Sequence, residues 1–248
     1  MEDGWSLKKL VRRIVTSRTY RQSSTVTSKK RLQDIQNKWL ARGPRFRLDA
    51  EGIRDNALSI AGLLSTEKGG PSIYPPQPNG LWTKVGGQKY TYEVSPGEQQ
   101  YRRGIYVVLK RGSPYPSFMT FDASERMTCV TRRSRSNTPL QALTTLNDPV
   151  FVEAAQAFAR RILSHAHTHT ARLQRASLLA LARSLSATER LALEQLQTDE
   201  LAYFRQHTNA AATLVGHQPH PGVSTAELAS WISVARALIN LDEFITRE

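Results

Sequence analysis

Along the first sixteen residues the apolar positions recur at three- and four-residue spacing: Leu7, Leu10, Val11, Ile14 and Val15, with Lys8, Lys9, Arg12 and Arg13 between them. A helix turns about 100° per residue, so this spacing predicts an amphipathic α-helix with an apolar stripe and a cationic back. The stretch "SRTYRQSSTVTS" then breaks the period, as a polar loop does. The pattern restarts in "KKRLQDIQNKWLA", where Leu32, Ile35, Trp39 and Leu40 share a face until Gly43-Pro44 stops it. It returns from Arg45 to Gly62 at Leu48, Ile53, Ala57, Leu58 and Ile60 or Ala61, with Asp49 placed to cap. Residues 1–68 therefore read as a basic helical segment.

From residue 69 to 138 the period is lost. "GGPSIYPPQPNGLW" carries four prolines and three glycines, which makes it irregular and rules out helix there. "KYTYEV" alternates, "YRRGIYVVLKR" is a short β-branched and aromatic run, and "PSFMTFDA" reads as a further extended piece. Pro114 and Pro116 interrupt any ladder, so the expectation is a few short strands at most.

Residues 139–248 are helical, with clear starts. Thr138-Pro139-Leu140-Gln141 fits a capping box with Pro at the first helical position, and Asp148-Pro149 opens the next helix in the same way. Ser186 to Glu189 and Ser224 to Glu227 repeat the box, so at least four helices follow. "HTNAAATLVGHQPHPGVS" reads as a long loop. The fold class is mainly α: helical N- and C-terminal parts joined by an irregular Pro/Gly-rich middle, in one compact unit.

Charge changes the picture at one end. The net charge is +13, and residues 1–47 hold thirteen Lys and Arg against three acids, a local +10. Nonspecific affinity for polyanions belongs there. A basic amphipathic helix suits a membrane surface or nucleic acid, but a helix packed on a neighbour with its cationic side in water is the more ordinary arrangement. A single cysteine, Cys129, excludes an intrachain disulfide, a CxxC pair, a cysteine-rich zinc site and a CxxCH haem attachment. No apolar run approaches the roughly 18 residues of a membrane span, and the N-terminus lacks the order of a signal peptide. As it stands the chain reads as soluble and without a leader.

The candidate chemistry is sparse. All six histidines lie between 165 and 220, three of them in "HAHTHT" as His165, His167 and His169. Alternate histidines line one face of a strand but diverge at a helix end, so they read as a solvated terminus, with no metal expected. GxSxG, HExxH, GxxxxGK[ST] and GxGxxG are absent. Cys129 reads as a small buried hydrophobe. In the middle segment Tyr74 and Trp82 are candidates for stacking on sugars or bases, although packing is the weightier use of such rings. Arg132, Arg133 and Arg135 arrive just before a helix start at Asn137 and Thr138, which makes these five the anion-site candidates. Asp122 and Glu125 are polar cleft candidates, or internal partners for the arginines. No acid and base pair stands out, and whether the chain catalyses anything stays open.

Several strings carry a resemblance: "GWSLKKLVRRIVTSRTYRQSS", "RLDAEGIRD", "GGPSIYPPQPNGLW", "YRRGIYVVLKR", "TFDASER", "RRSRSNTPLQALTTLNDPVFVEAA" and "NLDEFITRE". Together, in this order, they resemble the planctomycete-type domain of unknown function 1553 over essentially the whole chain. The resemblance implies the C-terminal region of an exported multidomain protein, periplasmic or at the cell surface. There it follows another uncharacterised domain and often a cytochrome c-like or carbohydrate-binding-like module. It also implies that the partners are the missing N-terminal domains, and that any haem sits in them, with no cofactor in this chain. The "HAHTHT" stretch and residues 208–224 lie outside the recognised motifs. The expectation is an uncharacterised scaffold or interaction module. An enzyme or binding domain acting on polysaccharide or another anionic ligand is the alternative, and nonspecific nucleic-acid binding is the least favoured.

Overall fold

The computed structural model describes residues 4–81, 91–165 and 168–247. It is mainly α, and the chain divides into two compact units, Met1–Arg47 with Thr246–Glu248, and Leu48–Ile245.

In the smaller unit, α1 (Leu7–Thr16) begins where the Ser6 hydroxyl accepts from the Lys9 N–H, and α2 (Ser28–Gln33) begins at Thr27 in the same way. The helix expected to run on to Trp39 and Leu40 stops at Gln33. The Asp34 carboxylate accepts from the N–H groups of Lys38 and Trp39 at 2.7 and 2.8 Å, which folds the chain back, and Asn37 and Leu40 take positive φ. The Arg42 guanidinium donates to the carbonyls of Asp34 and Ile35, and the Gly43 N–H donates to that of Ser23. A Cβ at Gly43 would lie 2.4 Å from the Gln22 carbonyl oxygen, so only glycine fits. Strand β1 (Phe46–Arg47) pairs antiparallel with β2 (Thr246–Arg247). The apolar stripe of α1 is not packed: no residue of that helix is buried.

The larger unit holds the core. Helix α3 (Ala50–Ala61) ends at Gly62 in the left-handed conformation; Asp49 occupies its cap position but makes no side-chain cap bond. In the middle segment the chain forms 3-10 turns at Gly97–Tyr101 and Gly104–Tyr106 and the short α4 (Pro116–Thr120), where an extended piece was expected. Pro116 at the first helical position explains the difference. The bridges Ser65 to Arg102 and Ile73 to Val107 are isolated, and Thr91–Val94 form no strand. Buried guanidinium groups take the place of ladders. Arg54 donates to the carbonyls of Gln100 and Arg102, and Arg102 to those of Gly69 and Pro71.

The four expected starts are all present, opening α5 (Pro139–Asn147), α6 (Pro149–His165), α8 (Ala187–Gln206) and α10 (Thr225–Ile239). Between them lie α7 (His169–Leu181) and α9 (Thr208–Val215), followed by α11 (Asp242–Ile245). Helix α9 replaces the first half of the expected loop, because Ala211 and Val215 reach the core from an alanine-rich turn. Helix α10 is central: it packs on α6, α8 and α9, and buries Leu228, Trp231, Ile232, Leu238 and Ile239 completely. Alanines 154, 155 and 159 of α6, fully buried, let the helices approach closely around Phe158 and Ile162.

Candidate functional site

The sequence placed its polar candidates around residues 122–138, and the structure makes that stretch a closed loop running into α5. Asp122 sits at positive φ, and its carboxylate accepts from the Ser136 N–H at 2.8 Å and the Ser136 hydroxyl at 2.9 Å. The buried Gln141 amide donates to the Thr120 carbonyl and the Ser136 hydroxyl, fastening the neck of the loop from inside. A cleft of about 330 Å³ lies against this loop, lined by Met119, Asp122, Glu125, Arg126, Val130 and Arg133 among others. The structure thus brings Asp122, Glu125 and Arg133 to one place.

The arginines divide. The Arg133 guanidinium donates twice to the Glu51 carboxylate of α3, at 2.6 and 2.9 Å. Burial pushes the Glu51 carboxyl up, but the Arg133 hydrogen bond, a backbone hydrogen bond and the charges of Arg133 and Arg126 together outweigh it, and the net result lies below the ordinary value. Arg135 stands 4.0 Å from Asp49, and Arg132 is exposed. Thr138 and Gln141 form the expected capping box, the Thr138 N–H donating to Gln141 at 3.4 Å. Asn137 lines a separate recess of about 80 Å³ with Gln141, Thr145 and Asn240. The five anion-site candidates therefore do not converge on one point.

Elsewhere, Tyr74 packs edge-on against Tyr92, with ring centroids 5.6 Å apart, and Trp82 lies outside the described residues. Cys129 is exposed, not buried, because its loop stands off the core. His165 is exposed with its ring nitrogen 2.9 Å from the Arg161 carbonyl, and His167 lies outside the described residues. His169 departs from the solvated terminus expected of it. It is half-buried, 3.1 Å from Gln197 and ring to ring with Trp231, while Gln197 donates to the buried Ser230. Among the described residues no group of three His, Cys, Asp or Glu side chains is placed to hold a metal ion.

Sequence reasoning missed two features. Asp148, read only as a helix opener, accepts from the Val150 N–H at 3.0 Å, and burial raises its carboxyl to about 6. Helix α5 is turned inside out. Gln141 and Thr145 are 2% and 3% exposed, whereas Leu140 and Leu143 are 59% and 54% exposed. Thr145 donates to Asn240 at 2.6 Å, so the inward face is a satisfied polar seam. The polar pair four residues apart, Gln141 and Thr145, was the available signal for it.

Chemically, the cleft offers two carboxylates and two guanidiniums, with Asp122 and Arg133 already bonded within the protein. The outward side of α5 and the loop before it offers apolar contact area: Met127 and Val130, like Leu140 and Leu143, are exposed. No curated protein and no solved structure matches the chain. Residues 1–197 of the 248 match the family described as PSD1, protein of unknown function (DUF1553), and the chain belongs to that family.

Proposed function

We propose that this chain is a noncatalytic scaffold and interaction module, the C-terminal part of an exported multidomain protein that carries cytochrome c-like modules elsewhere. One observation carries the reading: α5 buries its polar side chains and exposes Leu140 and Leu143. Fully burying an aliphatic side chain of that size contributes roughly 1.5–3 kcal/mol, so covering the exposed half of each leucine contributes roughly half of that, which a second protein surface supplies and water does not. The partners are the other domains of the same polypeptide.

Two assays test this. The chain, incubated with a panel of polysaccharides and sulfated sugars, releases no product; turnover abolished by Asp122→Asn would overturn the reading. The upstream domains, produced separately, bind the chain, and Leu140→Glu with Leu143→Glu weakens that binding at least tenfold while the helical circular dichroism is unchanged.

The second reading is a polysaccharide- or anion-binding domain, favoured by the convergence of Asp122, Glu125 and Arg133 on one cleft. It ranks lower because Arg133 and Asp122 hold Glu51 and Ser136. Nucleic-acid binding ranks last: it predicts a steep loss of affinity with salt.

A further inference from the structure

The unit Met1–Arg47 has an unusual balance of surfaces. Among its described residues no large hydrophobic side chain is buried, and twelve are exposed, from Trp5 at 79% through Leu7, Leu10, Val11 and Ile14 to Trp39 at 83%. Its shape is nevertheless specified. The Asp34 carboxylate, the Arg42 guanidinium and the tight approach at Gly43 fix the chain path through hydrogen bonds, and Ser6 and Thr27 fix the helix starts. A defined backbone with none of its large apolar side chains buried is one half of a core.

On α1 the exposed residues Leu7, Leu10, Val11 and Ile14 stand at i, i+3, i+4 and i+7, the anchor spacing of a helix laid in a groove. Lys8, Lys9, Arg12 and Arg13 occupy the rest of the circumference. From residue 1 to residue 33 there are nine Lys and Arg against two acids, Glu2 and Asp3, a net +7. A complementary surface is therefore apolar along its floor and acidic along its rim.

We infer that α1 docks, through Leu7, Leu10, Val11 and Ile14, into an apolar groove rimmed by Asp and Glu carboxylates on another protein segment. The inference rests on the interaction-module reading and adds a second surface with the chemistry of its partner. A protein groove fits better than a lipid surface for two reasons. The four anchor positions on α1 itself are all aliphatic, and Trp5, the exposed aromatic beside them, lies outside the helix. A fluid bilayer also asks only for amphipathicity, whereas this unit holds a fixed shape around Asp34, Arg42 and Gly43.

The test titrates the full chain against a fluorescent synthetic three-heptad peptide with leucine at a and d and glutamate at e and g. Three comparisons run beside it: the same peptide with lysine for glutamate, vesicles of phosphatidylglycerol, and vesicles of phosphatidylcholine. The inference expects binding of the acidic peptide alone, weakened at least tenfold by Leu10→Glu with Ile14→Glu and several-fold by Lys8→Glu with Arg12→Glu. Because α1 buries nothing, these variants keep the fold, and circular dichroism checks that. Leu140→Glu with Leu143→Glu keeps peptide affinity. Binding to phosphatidylglycerol vesicles in place of the peptide assigns a lipid surface and overturns the inference. So does equal affinity of the α1 variants, or no binding at all. Peptide affinity lost through the α5 substitutions and kept by the α1 ones overturns it while leaving the interaction-module reading intact; turnover of a polysaccharide overturns that reading instead.

Discussion

In Leu48–Ile245 the apolar stripes of the helices meet one another: Trp231, Phe158, Ile162 and Leu228 are fully buried where α6, α8, α9 and α10 pack. In Met1–Arg47 a helix of the same period, with five aliphatic residues in ten, leaves every one of them exposed. The first unit is held by packing and the second by capping side chains and carbonyl contacts. Periodicity thus specifies that a helix has an apolar face, but what covers that face is a separate fact, set by tertiary structure or by a partner. A ten-residue helix without packing is marginal in water, so the small unit gains order when its face is covered.

Truncation separates the two kinds of helix most sharply. Trp231→Ala or Phe158→Ala removes a fully buried ring and lowers stability by about 3–5 kcal/mol, read as a fall in urea midpoint. Leu10→Ala or Ile14→Ala, in helix α1, stays within about 0.5 kcal/mol of the parent in the same titration.

The next effect is a gain. Burial raises the Asp148 carboxyl from an ordinary 3.8 to about 6 in the folded protein, so the folded state binds the proton more tightly than the unfolded one. The associated stability is full below about 3.8 and is lost as pH rises through about 6. Asp148→Asn keeps an acceptor for Val150 and avoids the buried charge. It stabilises the protein at pH 7 by about 2 kcal/mol and flattens thermal stability between pH 4 and 6. An unchanged pH profile would show that the carboxylate is better solvated than its burial implies.

A smaller loss is expected at the loop. Arg133→Ala removes a partly exposed pair and costs about 1 kcal/mol. Because the folded Glu51 carboxyl lies below its ordinary 4.5, this contribution is present above that value and is lost as pH falls through the folded one. The gap between parent and Arg133→Ala melting temperatures therefore narrows in acid. Least of all, Leu140→Glu with Leu143→Glu changes the stability of the isolated chain by no more than about 0.5 kcal/mol, since both positions already face water.

Features written in adjacent residues were legible in the sequence. Thr138, Asp148, Ser186 and Ser224 open helices because capping chemistry is complete within four residues, and the family motifs are local strings as well. The rest depends on distance along the chain. Glu51 and Arg133 are 82 positions apart, and neither one's context names the other. The inward turn of Gln141 and Thr145 depends on Asn240 and on the Thr120 carbonyl, so α5 carries its apolar residues on the side a helical wheel assigns to the core. The end of α2 at Gln33 carries no Gly or Pro to mark it; Asp34 turns the chain by accepting from the Lys38 and Trp39 N–H groups, four and five positions on. The cleft residues Asp122, Glu125 and Arg133 were named in advance, but their internal partners Ser136 and Glu51 were not.

Hydrogen exchange of the intact chain, followed residue by residue, tests most directly the claim that one unit carries its own core and the other presents half of one. Amides of α6 and α10 are expected to exchange only through global unfolding, while those of α1 and α2 exchange by local opening, orders of magnitude faster, and slow when the acidic peptide is added. Amides of α1 as protected as those of α6 in the chain alone would contradict it.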